Sequence, residues 1–307
     1  MSLCLSSLKQ DATIWEAMKW AEMSLNESGR PDAHVDAKLL MLYVLDCSDT
    51  MLLLNRQKVM DEEALEAYKK YVAIRQSGVP LQHITGVQEF MGLEFKVNEN
   101  VLIPRQDTET LIEKLLEKLN QKLALKESGL EVNDEKGTIL EGIDIGTGSG
   151  CIGISLVHYI SQLKMTLVDI SKQALEVAAY NIKAHDLEAR IKTLESNLLE
   201  QYKGEKVDFI VSNPPYIAKK DMEDLMIEVK EYEPHLALTD QGDGLYFYRE
   251  ISKLAKNYLK EDGLVAYEIG YDQGEAVQDI LAKEGYSDIE LYQDLAGQDR
   301  VVIAKYR

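Results

Sequence analysis

Strand-like and helix-like segments alternate through the carboxyl-terminal half of this chain, starting near Thr138. Short apolar runs predict buried strands, and the amphipathic segments between them predict helices. Parallel strands need a crossover between them, so the alternation predicts an α/β fold with a doubly wound, seven-stranded, mostly parallel sheet. The strands are predicted at residues 138–144, 164–169, 190–195, 207–212, 263–269, 287–292 and 299–305. The helices are predicted at residues 149–161, 171–185, about 221–230, 244–259 and 272–284.

The residues before this alternation have a different pattern. Apolar positions at helical spacing predict a small all-helical domain, with Asp11 as the cap of its first helix. Its helices are predicted at residues 11–27, 32–45 and 61–76. Alternating runs around Gly92 predict a β-hairpin, and a polar stretch predicts a surface loop at 126–137. The chain is therefore divided into a helical domain at 1–82, a hairpin linker at 83–103 and an α/β domain at 104–307.

A glycine-rich loop, DIGTGSG at 144–150, joins the first predicted strand to its helix. Glycines at alternate positions permit a tight turn and let the backbone contact a ligand. The next predicted strand ends at Asp169, where a carboxylate binds ribose hydroxyls in nucleoside sites. The spacing is not the GxGxxG of dinucleotide sites, and no P-loop lysine follows, so nothing is arranged for a pyrophosphate. The loop therefore indicates S-adenosylmethionine as cofactor, and a tight turn without a ligand is the alternative.

Two prolines end the strand predicted at 207–212, in the turn Asn213-Pro214-Pro215-Tyr216. Neither proline donates a backbone hydrogen bond, so a stiff turn leaves the sheet at the edge where open α/β sheets bind ligands. The Asn213 side-chain oxygen and the Pro214 carbonyl are predicted to accept the two hydrogens of a planar –NH2 group, and the Tyr216 ring to stack on it. A proline-terminated strand without a ligand is the alternative.

The acidic balance of the chain restricts its partners. The formal net charge is -19, which opposes unguided binding to the phosphates of nucleic acid. Cys4, Cys47 and Cys151 lack paired spacing and the histidines lack metal-ligand spacing, so no disulfide framework and no metal site is expected. No segment approaches the length of a membrane span. We therefore expect a cytoplasmic protein without membrane contact.

Motifs spread along almost the whole chain resemble those of the PrmC/HemK family of release factor glutamine methyltransferases, which are class I methyltransferases. They are IPRQDTE at 103–109, DIGTGSG at 144–150, VDIS at 168–171, SNPPYI at 212–217, EYEPHLAL at 231–238, DGL with YR within 243–249, EIG at 268–270 and DLAGQDRVV at 294–302. The resemblance implies a helical amino-terminal domain that docks the substrate, a hairpin linker and a seven-stranded methyltransferase domain.

The resemblance also implies roles for the matching residues. The substrate is the glutamine of the Gly-Gly-Gln tripeptide in class 1 translation release factors. The substrate is held by Asn213, Pro214, Pro215 and Tyr216. The cofactor is bound by Gly146, Thr147, Gly148, Ser149, Gly150, Asp169, Asn197 and Asn213.

Two positions depart from the family pattern. Gln106 stands where the family usually has proline, and Asn197 where it has an aspartate near the adenine. Asn197 is retained as a cofactor residue because an amide still forms hydrogen bonds. Arg105 and Glu109 either face the site or form a structural ion pair, and Phe90 and Phe95 are assigned to interdomain packing.

The chemistry expected of the turn is positioning. An amide nitrogen is a weak nucleophile, and two acceptors that fix its hydrogens aim it at the methyl group. The catalytic residues are then Asn213, Pro214 and Tyr216, without a dedicated base. One alternative is an amino-methyltransferase acting on adenine or guanine in nucleic acid, which needs a basic groove that the charge opposes. Another is a non-catalytic cofactor-binding partner of the ribosomal machinery, which the intact turn opposes. We expect a monomeric enzyme with release factors as partners and no direct contact with nucleic acid.

Overall fold

A computed structural model of the protein describes residues 8–127 and 139–307. These residues form two compact units: one comprises the chain through Gly86 together with Ile227–Tyr232, and the other comprises Val87–Met226 and Glu233–Arg307. The surface loop predicted at 126–137 lies almost wholly outside the described residues. The predicted domain limits and the docking role of the first domain stay predictions.

The first unit is helical, as predicted. Its helices before Gly86 are α1 (Ile14–Glu27), α2 (Ala33–Leu45), α3 (Asp49–Asn55), α4 (Glu62–Gln76) and α5 (Leu81–Thr85). The prediction that Asp11 caps α1 was wrong: the Thr13 hydroxyl accepts from the Glu16 backbone amide, and the Glu16 carboxylate accepts from Thr13. Such a reciprocal pair satisfies two amides at once, which a single aspartate does not. Helices α3 and α5 were not predicted because they are too short to show a period.

The second unit contains the predicted sheet, and the fold class is confirmed. A hairpin of β1 (Val87–Phe90) and β2 (Leu93–Lys96) precedes α6 (Asp107–Glu127). The strands of the sheet are β3 (Leu140–Ile145), β4 (Leu163–Asp169), β5 (Ile191–Glu195), β6 (Val207–Ser212), β7 (Leu259–Glu268), β8 (Ser287–Gln293) and β9 (Asp299–Lys305). The spatial order is β5-β4-β3-β6-β7-β9-β8, with β9 antiparallel to both neighbours and the other pairings parallel.

Helices cover both faces of this sheet. They are α6, α7 (Cys151–Tyr159), α8 (Lys172–Ala184), α10 (Tyr246–Ala255) and α11 (Gly274–Lys283). Helix α9 (Ile227–Tyr232), which lies between α8 and α10 in the chain, belongs to the first unit. Successive residues of β6 join opposite cores: Phe209 and Val211 pack on the side of α6 and α7, and Ile210 packs on the side of α10 and α11. Phe90 and Phe95, which were assigned to interdomain packing, lie in the first of these cores within the second unit.

The sheet register brings two predicted loops together. Ile145 at the end of β3 is the register partner of Ser212 at the end of β6, and also of Val168 in β4. The chain turns to one side of β3 for β4 and β5 and to the other side for β6 and β7, so this is the point at which the strand order reverses. Ligands of open α/β sheets bind at such a point.

The single helix predicted at about 221–230 is two elements in the structure. A 3-10 helix spans Lys219–Asp224, the chain is extended at Leu225, and α9 follows. Helix α9 belongs to the helical unit, where its Glu228 carboxylate accepts from the buried Arg75 guanidinium at 2.7 Å. The other side of Arg75 donates to Asp36 at 2.7 Å. These contacts explain the break, because α9 belongs to the first unit and the 3-10 helix to the second. A continuous helix has no extended residue at which the chain can pass from one unit to the other.

Candidate active site

Gly146 and Gly148 leave open space beside the backbone at the carboxyl end of β3. The Gly146 amide donates to the Val168 carbonyl at 2.9 Å, and the Gly148 amide donates to the Asp169 carboxylate at 2.9 Å. Both glycines have positive φ, and a Cβ added at either would meet no atom within 4 Å. The loop is therefore tied to β4 while its outer side stays available for a ligand.

The other residues of the glycine loop serve its own structure. The Thr147 hydroxyl donates to the buried Asp144 carboxylate at 2.6 Å, and Ser149 is buried. A Cβ at Gly150 would meet the Ile154 side chain at 2.9 Å, so Gly150 permits close packing as well as its left-handed backbone. Burial raises the pKa of Asp144 to about 7, against the opposing effect of its bond to Thr147.

Asp169 and Asn197 lie at the adjoining strand ends. The Asp169 carboxylate accepts from the Ser171 amide at 2.9 Å in addition to Gly148. Burial raises the pKa of Asp169, and hydrogen bonds from the backbone amides of Ser171, Gly148 and Ile170 oppose the rise. The Asn197 side chain donates to Glu200 at 2.9 Å. A carboxylate has about four lone-pair sites, so these backbone donors leave space on Asp169 for ligand hydroxyls.

Asp169 and Asn197 line a cavity of about 290 Å³ at the carboxyl ends of β3, β4 and β6. Of the predicted site residues, it is lined by Gly146, Gly148, Asp169, Asn197, Asn213, Pro214 and Pro215. Thr147, Ser149, Gly150 and Tyr216 are not among its lining residues. Apolar wall residues that the sequence analysis missed include Val101, Leu102, Leu236, Tyr246 and Phe247. Leu236 lies in the EYEPHLAL motif and Tyr246 follows DGL, but neither position has a spacing that indicates a ligand.

The proline turn leaves β6 directly into this cavity. The Asn213 Nδ2 donates to the Thr108 hydroxyl at 3.4 Å, which leaves the Asn213 side-chain oxygen as the acceptor for a ligand. The Tyr216 hydroxyl donates to the Glu268 carboxylate at 3.3 Å, and the Tyr216 backbone carbonyl accepts from the Gln273 side chain at 3.0 Å. The turn is thus fixed from both ends, and Tyr216 points its hydroxyl into the protein.

Known sequences match both units. The family described as PrmC N-terminal domain matches residues 16–86, and the family described as Methyltransferase small domain matches residues 128–243. A release factor glutamine methyltransferase of Clostridium acetobutylicum is 41% identical, over 95% of this chain and 98% of its own length. One of Bacillus subtilis is 40% identical, over 95% of this chain and 97% of its own length. The chain belongs to the release factor glutamine methyltransferase family.

The fold of this family member is also found in solved structures. The hMettl16 catalytic domain aligns with a TM-score of 0.54 and 17% sequence identity, over 77% of this chain and 82% of that domain. Identity this low shows a shared fold only. The family resemblance inferred from the motifs is confirmed by the sequence relatives, and the methyltransferase fold by this neighbour.

Arg105 and Glu109 of this methyltransferase both make structural contacts. The Arg105 guanidinium donates to both oxygens of the Glu233 carboxylate, at 2.6 and 2.7 Å, and Glu233 is buried. The Glu109 carboxylate accepts from the Met91 amide of the hairpin at 2.7 Å. Arg105 thus anchors the segment that precedes the cavity residue Leu236, and Glu109 anchors the hairpin.

Glu268 and Thr108 are polar residues of this site that the sequence analysis did not select. Burial raises the pKa of Glu268 to about 7, and hydrogen bonding to Thr108 and the nearby Arg300 guanidinium oppose the rise. A carboxylate that ends an apolar strand at the ligand-binding edge is the sequence signal that indicates Glu268. Thr108, in the first turn of α6, has no comparable signal.

Two further properties concern the described residues alone. Within residues 8–127 and 139–307, no group of three or more histidine, cysteine, aspartate or glutamate side chains is arranged to hold a metal ion. In that same part of the chain, no helix is long and apolar enough to cross a membrane.

Proposed function

We propose that the protein transfers a methyl group from S-adenosylmethionine to the side-chain amide nitrogen of the glutamine in the Gly-Gly-Gln motif of class 1 release factors. One observation carries the proposal: the turn at Asn213 lines the same cavity as Gly148 and Asp169. A planar –NH2 group at the turn is therefore next to the space assigned to the cofactor. The names of the relatives favour a release factor over nucleic acid as the substrate.

The cavity fits S-adenosylmethionine by its shape and its polar groups. The open space beside Gly146 and Gly148 suits the methionine portion, since no protein atom lies within 4 Å of a Cβ built there. Asp169 is assigned to the ribose hydroxyls through the lone pairs that its backbone donors leave. Asn197, which lines the same cavity, is assigned to the adenine. When bound, the cofactor supplies a methyl carbon made electrophilic by its sulfonium.

The turn positions the substrate amide. The Asn213 side-chain oxygen accepts one amide hydrogen and the Pro214 carbonyl accepts the other. These contacts strengthen as the nitrogen becomes positive, which is the condition for catalysis. With the cofactor bound, these two acceptors would hold the glutamine nitrogen facing the electrophilic methyl carbon, and the methylated nitrogen would lose one proton to water. The Tyr216 ring as a stacking face stays a prediction, because Tyr216 is not among the lining residues.

The helical unit is proposed to dock the release factor. Helix α3 exposes Leu53 and Leu54, the latter with 74% of its surface accessible. Apolar side chains with this exposure favour contact with a partner. Leu54→Glu is expected to raise the KM for the factor about tenfold and leave the Kd for S-adenosylmethionine unchanged. Leu295→Glu, the same substitution at a more exposed leucine of the second unit, is the control.

The decisive experiment supplies labelled S-adenosylmethionine with three acceptors. They are an intact class 1 release factor, its Gln→Ala variant at the Gly-Gly-Gln tripeptide, and DNA or RNA. We expect label on the intact factor only, recovered in one methylated glutamine by mass spectrometry. Label on nucleic acid with the factor unmodified would replace this proposal with amino-methylation of a base.

A further inference from the structure

Glu268 stands beside the proline turn because of the sheet register. Tyr267 is the register partner of Ser212, so Glu268, the last residue of β7, lies at the level of Asn213, which directly follows β6. Glu268 has 1% of its surface exposed. Its Oε1 accepts from the Tyr216 hydroxyl at 3.3 Å, and among the described residues its Oε2 has no hydrogen-bond partner. A fully buried carboxyl with an unsatisfied oxygen carries a free-energy cost that the fold alone does not explain.

Thr108 connects this carboxyl to the turn. It is 2% exposed, and its hydroxyl adjoins Glu268 and acts to lower the pKa of that carboxyl through hydrogen bonding. The same hydroxyl accepts from Asn213 Nδ2 at 3.4 Å. A hydroxyl has one hydrogen, so a Thr108 that donates to Glu268 can only accept from Asn213.

We propose that Glu268 is a positioning residue for methyl transfer, which acts through the Thr108 hydroxyl to hold the Asn213 amide with its oxygen toward the cavity. The proposal rests on the proposed function, since it takes Asn213 as an acceptor of the substrate amide. It adds a residue that touches neither the cavity nor the substrate.

The charge of Glu268 sets the direction of this chain of hydrogen bonds. An ionised carboxylate only accepts, so Thr108 donates to it and Asn213 donates to Thr108. A protonated carboxyl can donate to Thr108, whose hydrogen then turns toward Asn213. The Asn213 amide is then stable with its oxygen toward Thr108 and its –NH2 group toward the cavity. That orientation presents a donor to a substrate amide that also donates.

The surroundings of Glu268 place its titration near neutral pH. Burial raises its pKa to about 7, and Thr108, Arg300 and Tyr216 act to lower it while Asp107 acts to raise it. The groups that face it from the neighbouring elements are Asp107 and Thr108 of α6, Cys151 of α7, Tyr216 of the turn, Tyr248 of α10 and Arg300 of β9. The orientation that favours catalysis is thus gained as pH rises through about 7.

The kinetic test compares Glu268→Gln, Thr108→Val and Thr108→Ser with the wild type. Glu268→Gln removes the group that can only accept, and Thr108→Val removes the hydroxyl. In both variants kcat is expected to fall at least tenfold at pH 8, with the KM for both substrates within about twofold of the wild type. Serine keeps the hydroxyl and restores kcat. The wild-type kcat rises through about pH 7, and that rise is absent in Glu268→Gln. Thr166→Val, in β4, is the control for the loss of a threonine hydroxyl away from this site.

A second measurement needs no substrate. The side-chain –NH2 resonances of Asn213, assigned by their loss in Asn213→Ala, should move in the wild type with a midpoint near pH 7. They should not move in Glu268→Gln. Thr108→Val turning over like the wild type, or Asn213 resonances that stay fixed between about pH 5.5 and 8.5, would overturn the inference. A wild type that titrates at Asn213 but methylates no release factor would remove the proposed function and leave the orientation of Asn213 by Glu268 in place.

Discussion

The parallel strands form an amino edge where they begin and a carboxyl edge where they end, and these two edges hold buried carboxylates in opposite ways. At the amino edge, the Asp208 side chain is 1% exposed and lies 2.9 Å from Lys260, 3.3 Å from Lys126 and 3.7 Å from Lys122. Burial acts to raise its pKa, but its bonds to Lys260 and to the Glu141 amide outweigh burial and lower it. At the carboxyl edge, Glu268 has hydroxyl neighbours and a more distant guanidinium, and burial prevails.

The difference separates a carboxylate that stabilises from one that is available for function. Asp208 is ionised and paired, so removing its charge takes one carboxylate partner away from three lysines that are largely shielded from water. Glu268 is poorly satisfied, so its ionisation opposes folding. Groups kept in such an unfavourable state cluster at functional sites. Asp144, Asp169 and Glu268, whose pKa values burial raises, all lie at or next to the cavity. Burial also raises the pKa of Asp36 in the helical unit, but Asp36 is paired with Arg75.

The largest expected effect comes from Asp208→Asn, which should lower the free energy of unfolding by about 3 kcal/mol at pH 8. The lowered pKa of Asp208 means that its stabilisation is present above the unfolded pKa and is lost as pH falls through the folded pKa. Glu268→Gln should leave stability unchanged or higher at pH 8, because the raised pKa of Glu268 gives stability only below about 7. Urea unfolding of both variants tests the contrast, and equal losses would contradict it.

Asn213→Ala should reduce the rate of methyl transfer by about 10²–10³. It removes one of the two acceptors aimed at the substrate amide, and Asn213 lies outside the hydrophobic core clusters of the second unit. Single-turnover transfer to a release factor measures the rate, and titration calorimetry should show cofactor affinity within about twofold of the wild type. Asn257→Ala, at an exposed position after α10, is the matched control. Near-normal turnover of Asn213→Ala would make the turn purely structural.

Asp169→Ala should weaken S-adenosylmethionine binding by about 1.5–3 kcal/mol, through loss of a hydrogen bond to a charged acceptor. Part of the loss comes from the Gly148 and Ser171 amides, which give up their acceptor. Asp169→Asn keeps an oxygen for one of them and should lie between the alanine variant and the wild type. Calorimetric titration measures the Kd, with Asp279→Ala on the surface of α11 as control. An unchanged Kd would contradict the ribose assignment.

Much of this fold follows from local pattern. Strands β3, β6 and β9 contain runs of buried residues that are mostly apolar, and such runs are visible in one sequence. The break between Lys219–Asp224 and α9 is not visible, because it depends on the partners Arg75 and Asp36, which are far away in the chain.

The candidate site divides in the same way. Gly148 and Asp169 follow strand ends in the sequence, so their meeting could be predicted from the topology alone. The packing of Thr147, Ser149 and Gly150 against the protein could not, because a glycine-rich motif does not show which of its residues face outward. Thr108 becomes part of the site only because α6 begins next to the end of β7, and no local pattern records that neighbour.

Tyr216→Phe carries the smallest expected effect, because it removes one hydroxyl and keeps the ring. The 3.3 Å bond from Tyr216 to Glu268 is long for a hydroxyl donor, so its loss should cost about 1 kcal/mol of stability or less. That bond acts to lower the pKa of Glu268, so the midpoint of the kcat profile should move to higher pH in the variant. At pH above both midpoints, kcat should match the wild type if the ring is the part that matters. Tyr216→Ala then measures the contribution of the ring itself. A further loss in kcat supports the predicted stacking. Equal kcat values for Tyr216→Ala and Tyr216→Phe would mean that Tyr216 acts through its hydroxyl at the carboxyl edge of the sheet and not through its ring.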